Sequence, residues 1–366
     1  MCARSLCRVG VVSVIIFCLW YSLTNYGSIR DKQHCDNLPP SLYVHPIYPI
    51  ESTPVIKRDP RPAFAPRIRL LPHTLCESNI SVVFVVHSDL KNVAQRQFQR
   101  KQLDDAWLDQ LYAKRMFVVG SPPIPETGSK YEEEANKYDD LLQVDTIEHY
   151  HNITYKAQAW IQLLTTCPHP PKFIIKIDDD VMIDRIGVQY LINRYSSSKR
   201  VLGCRVLTHG SVVRNPKSKW YLSHEEYSGN DLGTYCQGMA YVFSADQLLQ
   251  MRDNISRVQF LWMDDWYVTR ALLSGSNTTL LDLSDHYCST NSEEELNTAF
   301  EARKRPQNGS FLHISDPQTD SQSNVQFKYG MNSYLSITYV SDAMRHLCFM
   351  LFLYITVHIN DTKMKR

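Results

Sequence analysis

The sequence predicts an α/β domain with a mostly parallel central sheet flanked by helices, preceded by a transmembrane anchor and a proline-rich stem. Three observations predict it. Between residues 80 and 177, short β-branched runs alternate with segments of helical period, the pattern of strand-helix-strand units. One such run, Phe173–Ile177, ends directly in Asp178-Asp179-Asp180. Ahead of the first strand lies an uncharged apolar stretch, and after it a segment crowded with prolines.

The N-terminal stretch runs from Val9 to Leu23, follows Arg4 and Arg8, and is bordered by Tyr21 and Tyr26, which suit a membrane interface. It is short for a spanning helix and reads as a signal anchor or a cleaved signal peptide. No small-x-small site follows it, which favours the anchor: a cytosolic tail (1–8), a span (9–26) and a lumenal remainder. A short span suits a thin, early secretory membrane. Sequons at Asn79, Asn152, Asn254, Asn277, Asn308 and Asn360 agree with a lumenal location. Cys35, Cys76, Cys167, Cys204, Cys236, Cys288 and Cys348 follow the anchor at spacings that fit no zinc pattern. In an oxidising compartment several would pair. Their odd number leaves one thiol free or able to bridge to a second copy as a homo-oligomer.

Prolines 39, 40, 46, 49, 54, 60, 62, 66 and 72 resist helix and central strand, so 27–76 reads as an extended stem. The domain, 77–320, then opens with a strand at Ile80–Val86, a helix over 92–112 and a strand at Met116–Gly120. Residues 131–140 are acidic and helix-prone. Ile153 to Thr166 carries Ala157, Trp160, Ile161 and Leu164 on one helical face. Strands near 201–206 and 239–244 and helices near 245–252 and 264–273 complete it. Residues 321–366 form an extension whose apolar run, 347–359, is too short for a confident second span. A net charge of +1 creates no field that would recruit nucleic acid, and 43% hydrophobic residues are ample for a core.

The carboxylates carry the chemistry. In open α/β sheets, ligands bind outside the carboxyl ends of the strands. Packed acids repel one another, so three at a strand end read either as a solvated turn or as a site for a hard cation such as Mg²⁺ or Mn²⁺, which also holds phosphates. Asp264-Asp265 reads as a helix N-terminal cap, as a catalytic pair, or as both.

Several blocks, in order, resemble the β-1,3-glycosyltransferases of glycosyltransferase family 31, which include galactosyl-, N-acetylglucosaminyl- and fringe-type enzymes. Tyr150-His151-Asn152-Ile153-Thr154-Tyr155-Lys156, Cys167-Pro168 and Lys176-Ile177-Asp178-Asp179-Asp180 resemble its "D-x-Y-x-N-L-T-x-K", "C-P" and "K-x-D-D-D". Lys219-Trp220-Tyr221 and Tyr235-Cys236-Gln237-Gly238-Met239-Ala240-Tyr241-Val242-Phe243-Ser244 resemble its next blocks, and Asp264-Asp265-Trp266-Tyr267-Val268-Thr269 its "E-D-V-Y-V-G". The likeness spans about 80 to 315.

This resemblance implies a GT-A fold and a type II Golgi membrane protein with its catalytic domain in the lumen. The activity implied is inverting, Mn²⁺-dependent transfer of galactose or an N-acetylhexosamine from a UDP-sugar to a glycan acceptor on protein or lipid. Asp265 would be the general base that deprotonates the acceptor hydroxyl. Asp180 would ligate the metal, joined by His313, with His286 as rival. Asp178 and Asp179 would face the nucleotide ribose or back the site. Arg96 and Arg100, one helical turn apart, would reach phosphate or uracil, or form a solvated basic face with Lys101. Trp220 and Tyr221 would stack on an acceptor sugar or pack in the core, and Asn152 has a structural role before a glycosylated one.

The chain departs from the pattern in three places. Gln102–Trp107 replaces the "T-W" after the arginine helix, Gln237-Gly238-Met239 replaces "G-G-G", and Trp266 and Thr269 replace the small residues of "V-Y-V-G". Bulky Met239 and Trp266 motivate a rival reading, a sugar-binding lumenal scaffold without turnover. A haloacid-dehalogenase-type phosphatase also ends a strand in acids, but Met182 stands where that fold wants Thr or Val, and an anchor and stem argue against it.

Overall fold

The computed structural model describes residues 46–50, 66–77, 80–122, 130–290 and 311–314. The tail 1–8, the anchor 9–26, most of the stem, the extension 321–366 and the sequons at Asn79, Asn308 and Asn360 lie outside the described residues. Among the described residues no helix is long and apolar enough to cross a membrane.

In chain order the strands are β1 (Ile47–Pro49), β2 (Ile68–Leu70), β3 (Val82–His87), β4 (Ala113–Ser121), β5 (Leu141–Ile147), β6 (Phe173–Asp178), β7 (Val181–Ile183), β8 (Val201–Leu207), β9 (Tyr235–Ser244), β10 (Thr279–Asp282), β11 (Tyr287–Thr290) and β12 (Phe311–Ile314). The helices are α1 (Val93–Gln102), α2 (Asp105–Gln110), α3 (Lys130–Tyr138), α4 (Ile153–Thr166), α5 (Arg185–Tyr195), α6 (Leu248–Asn254) and α7 (Asp264–Trp266), the last running on into a π-turn over Tyr267–Ala271. The main sheet has the order β1-β10-β8-β9-β6-β3-β4-β5-β2, and a small one the order β11-β12-β7.

The main sheet is mixed, which corrects the expectation of a mostly parallel one. Pairs β10-β8, β6-β3, β3-β4 and β4-β5 are parallel, and β1-β10, β8-β9, β9-β6 and β5-β2 are antiparallel. The physical reason is one reversed strand. β9 lies between β6 and β8 and opposes both, and short strands from the proline-rich segment close the two edges. A three-residue edge strand tolerates the proline content that a central strand would not. The expected helix over 92–112 is two helices. Asp104 breaks it by accepting the Trp107 backbone N–H at 2.9 Å as the cap of α2.

The central strands read as unbroken apolar runs because both faces of the sheet are covered. Val83 and Val85 of β3 join Ala157, Trp160, Ile161 and Leu164 of α4, whereas Val82, Phe84 and Val86 join Trp107 and Leu108 of α2 and Val188 and Leu191 of α5. Each such buried side chain contributes roughly 1.5–3 kcal/mol relative to exposure. On β6 the alternation fails once: after Ile174, the next residue toward the α4 face is Lys176, which is buried. Disulfides Cys76–Cys167 and Cys204–Cys236 tie the segment before β3 to the end of α4, and β8 to β9.

Candidate active site

β3 and β6 run parallel with His87 in register with Asp178, so their carboxyl ends open side by side. Past them the chain turns sharply. The Asp179 N–H donates to the His87 carbonyl at 3.1 Å, and Gln99 of α1 grips the carbonyls of Asp179 and Val181 at 3.0 and 2.7 Å. The Asp179 carboxylate points inward and accepts from Ser88 Oγ at 2.6 Å and Asn92 Nδ2 at 3.0 Å. Burial, with repulsion from Asp180, pushes it up to about 6 against those hydrogen bonds. Asp179 therefore backs the site. Asp180 is exposed at the turn into β7.

Lys176 lies beneath these acids. Its Nζ donates to Asp178 Oδ1 and to the Gly238 carbonyl, both at 2.6 Å, and sits 5.5 Å from the centre of the Tyr241 ring. Burial works against its charge, but Asp178, Asp264 and Asp265 outweigh it and raise its pKa. Asp178 is pushed up to about 7, first by burial, then by repulsion from Asp180 and Asp264, with Lys176 opposing. Its side chain keeps 38% exposure, so it is recessed rather than sealed.

Asp264 and Asp265 occupy the first turn of α7. Asp265 Oδ1 accepts the Trp266 N–H at 2.8 Å, but the N-cap position is Met263, which gives no side-chain cap, so Asp264 and Asp265 sit within the first turn rather than capping it. Asp265 is pushed up to about 7 by burial, then by the Asp264 and Asp178 charges. Burial raises Asp264 too, with Lys176 and Lys156 opposing. Gly238 of β9 makes room for the pair: a Cβ there would stand 3.1 Å from that of Asp265. Thr269, where the family pattern has glycine, pins α7 to β9. Its Oγ1 donates to the Asp265 carbonyl at 2.6 Å and accepts the Cys236 N–H at 3.0 Å.

Arg96 and Arg100 are buried, which corrects the reading of a solvated basic face. Arg96 forks onto Glu134 of α3 at 2.9 and 2.7 Å and donates to the Asp89 carbonyl at 2.7 Å and to Ser88 Oγ at 3.2 Å. Arg100 forks onto Asp140 at 2.8 and 2.7 Å, pairs with Glu134 at 2.8 Å and lies 4.0 Å over the Tyr138 ring. With both forks held by carboxylates, Arg96 positions the Ser88–Leu90 turn beside Asp179, and Arg100 ties α1 to Glu134 and Asp140.

The structure adds residues that the sequence reading gave no role. Lys156 Nζ donates to Glu148 Oε1 at 2.6 Å and to the Ser88 carbonyl at 2.9 Å. Its signal was a lysine in an otherwise buried helix. Tyr150 is 46% exposed, yet its hydroxyl is pushed up to about 12, by burial and then by Asp264 and Asp265, and it bonds to Trp220. Trp220 itself is 47% exposed, which rules out its core reading, and Lys219 lies over its ring at 4.5 Å. His151 stacks on Trp262 at 4.1 Å beside Tyr150. An aromatic wall thus borders the acids.

Other expected residues fall elsewhere. Trp266 and Met239 are buried in the core, with the Trp266 indole donating to the Leu232 carbonyl at 2.8 Å. His286 is buried and stacked with Tyr190. Asn152 Nδ2 donates to the Ile147 carbonyl at 2.9 Å, a structural role. The β12-β7 register sets the backbone of His313 opposite Val181, one residue past Asp180. Among the described residues no three His, Cys, Asp or Glu side chains form a metal-holding group.

Residues 98–283 match the family described as galactosyltransferase. Beta-1,3-galactosyltransferase 1 of Mus musculus and of Homo sapiens is 24% identical over 200 residues, 53% of this chain and 60% of that protein. Beta-1,3-galactosyltransferase 5 of Homo sapiens is 25% identical over 201 residues, 54% of this chain and 64% of that protein. The chain thus spans about three fifths of the length of these relatives. A crystal structure of a glycosyltransferase involved in the glycosylation of the major capsid of PBCV-1 aligns with 64% of this chain and 93% of its own, at 7% identity and TM-score 0.33.

Proposed function

The chain belongs to the galactosyltransferase family, and from that premise we propose that it is an inverting β-1,3-glycosyltransferase. It moves galactose or an N-acetylhexosamine from a UDP-sugar to a glycan on a glycoprotein or glycolipid. The observation that carries this reading is Asp265, recessed against Gly238 with its pKa pushed up to about 7, close to the pH at which it would work. A general base is most effective when its pKa lies near the operating pH.

In a single displacement the acceptor hydroxyl oxygen attacks the anomeric carbon, its proton passes to Asp265, and the carbon–oxygen bond to the diphosphate breaks with the electron pair leaving on UDP. Tyr150 and Trp220 offer the acceptor sugar an aromatic face beside that base. Lys176 holds Asp178 toward the donor side, and Asp179 stiffens the turn.

A divalent cation, Mn²⁺ in this reading, fits the donor chemistry of Asp178 and Asp180, whose oxygens suit a hard ion; His313 would join them. Such an ion would neutralise charge building on the departing diphosphate. A type II Golgi topology, with 9–26 as the span, is supported by the basic flank, the uncharged run and the sequons.

The test is UDP release by the full-length chain in detergent with Mn²⁺, a panel of UDP-sugars and simple β-linked acceptors. Turnover with one donor, abolished by EDTA, is the expected result. UDP binding without turnover of any donor would sink the proposal and leave a sugar-binding scaffold.

A further inference from the structure

Two buried polar atoms in this site have no hydrogen-bond partner, and they face each other. They are His87 Nδ1 and Asp264 Oδ2, 3.6 Å apart. On the far side of the ring, Trp160 Nε1 lies 3.0 Å from His87 Nε2. An indole N–H can only donate, so Nε2 must present its lone pair and the ring proton sits on Nδ1, aimed at Asp264. Burial, then the Lys176 and Lys156 ammonium groups, keeps the imidazole neutral. Trp160 thus fixes the tautomer, and β3 fixes the ring beside the carboxylates. Asp264 is one methylene shorter than the glutamate of the family pattern, and the imidazole stands where the shortened side chain ends.

We propose that His87 is a positioning residue, whose Nδ1–H holds the Asp264 carboxylate and thereby sets the first turn of α7 with Asp265 turned to the acceptor. The contact is loose as it stands and closes when substrate fills the site, as catalytic hydrogen bonds commonly do. Without His87, Asp264 Oδ2 faces no donor, and only the backbone of its own turn holds the carboxylate, which can then shift and carry its neighbour with it. This inference rests on the transferase reading.

The test uses the full chain with two substitutions. His87→Phe keeps the ring and removes the donor; His87→Asn places an amide N–H at the position of Nδ1. Readouts are kcat, the donor KM, UDP affinity by calorimetry, and the ¹⁵N signals of the His87 imidazole. His87→Phe is expected to lower kcat on the order of 100-fold, the scale of a misplaced catalytic group, with donor KM and UDP affinity unchanged. His87→Asn is expected to recover about tenfold of that loss. Equal losses in both variants, or a change in KM rather than kcat, would overturn the proposal while leaving the transferase reading intact. The wild-type tautomer decides independently of folding by the variants: a neutral, Nδ1-protonated ring supports the proposal, and an Nε2-protonated ring or an imidazolium overturns it. If the wild type turns over no donor, the transferase reading fails and the positioning role fails with it, whatever the tautomer.

Discussion

Replacing Lys176 by methionine removes a buried cation that holds the acid cluster from below. The side chain is nearly isosteric, so packing against Tyr241 survives, but the Gly238 carbonyl and Asp178 each lose a bond of 2.6 Å. Breaking a fully buried ion pair from one side costs about 3–5 kcal/mol. Asp178 keeps 38% exposure, so water compensates part of that. A discounted loss of about 2–3 kcal/mol remains, in line with charged hydrogen bonds at roughly 1.5–3 kcal/mol each. For a domain of this size, 1 kcal/mol moves Tm by about 2–4 °C, so Lys176→Met should melt about 4–12 °C lower. Differential scanning fluorimetry at pH 7 measures this. A melting temperature within 1 °C of wild type would refute the claim that Lys176 supports the cluster, and the acids would then have to be stabilised by water alone.

Three further outcomes follow from the same geometry. Gly238→Ala puts a Cβ 3.1 Å from that of Asp265, so turnover should drop about tenfold with little change in Tm; an unaffected kcat would show that Asp265 gives way freely. Asp265 and Asp178 are raised to about 7 and Asp179 to about 6, so their contribution to stability is full below pH 4 and is lost as pH rises through 6–7. Asp265→Asn should therefore be more heat-stable than wild type at pH 8 and no more stable at pH 4; the reverse order in Tm would contradict these shifts. Trp220→Ala should raise the acceptor KM about tenfold and leave the donor KM alone, because the ring is exposed beside Tyr150 rather than packed; steady-state kinetics with each substrate varied separates the two.

Legibility in the sequence followed the range of the interaction. Val82–His87 and Phe173–Asp178 were readable because burial on both faces leaves an unbroken apolar run, and Asp178–Asp180 because acids stop such a run at the sheet edge. Strand direction was not readable. An apolar strand pattern reads the same in either chain direction, and only the pairing of β9 with β6 and β8 shows it reversed. Arg96 and Arg100 looked available because their partners, Glu134 and Asp140, lie 38 and 40 residues on and on another element. The stem hid two strands, since three-residue edges carry too little pattern to detect. His87 was invisible for a different reason. A histidine at a strand end has no meaning until Trp160, 73 residues later, fixes its proton.

If Asp265 takes the acceptor proton, as proposed, Asp265→Asn removes the base and little else. The asparagine keeps size and the hydrogen bond from the Trp266 N–H but cannot accept a proton at neutral pH. With the donor found active for the wild type, kcat should fall by about 10²–10⁴-fold while UDP affinity stays within a factor of two. A variant that retains kcat within a few fold of wild type would show that another residue is the base.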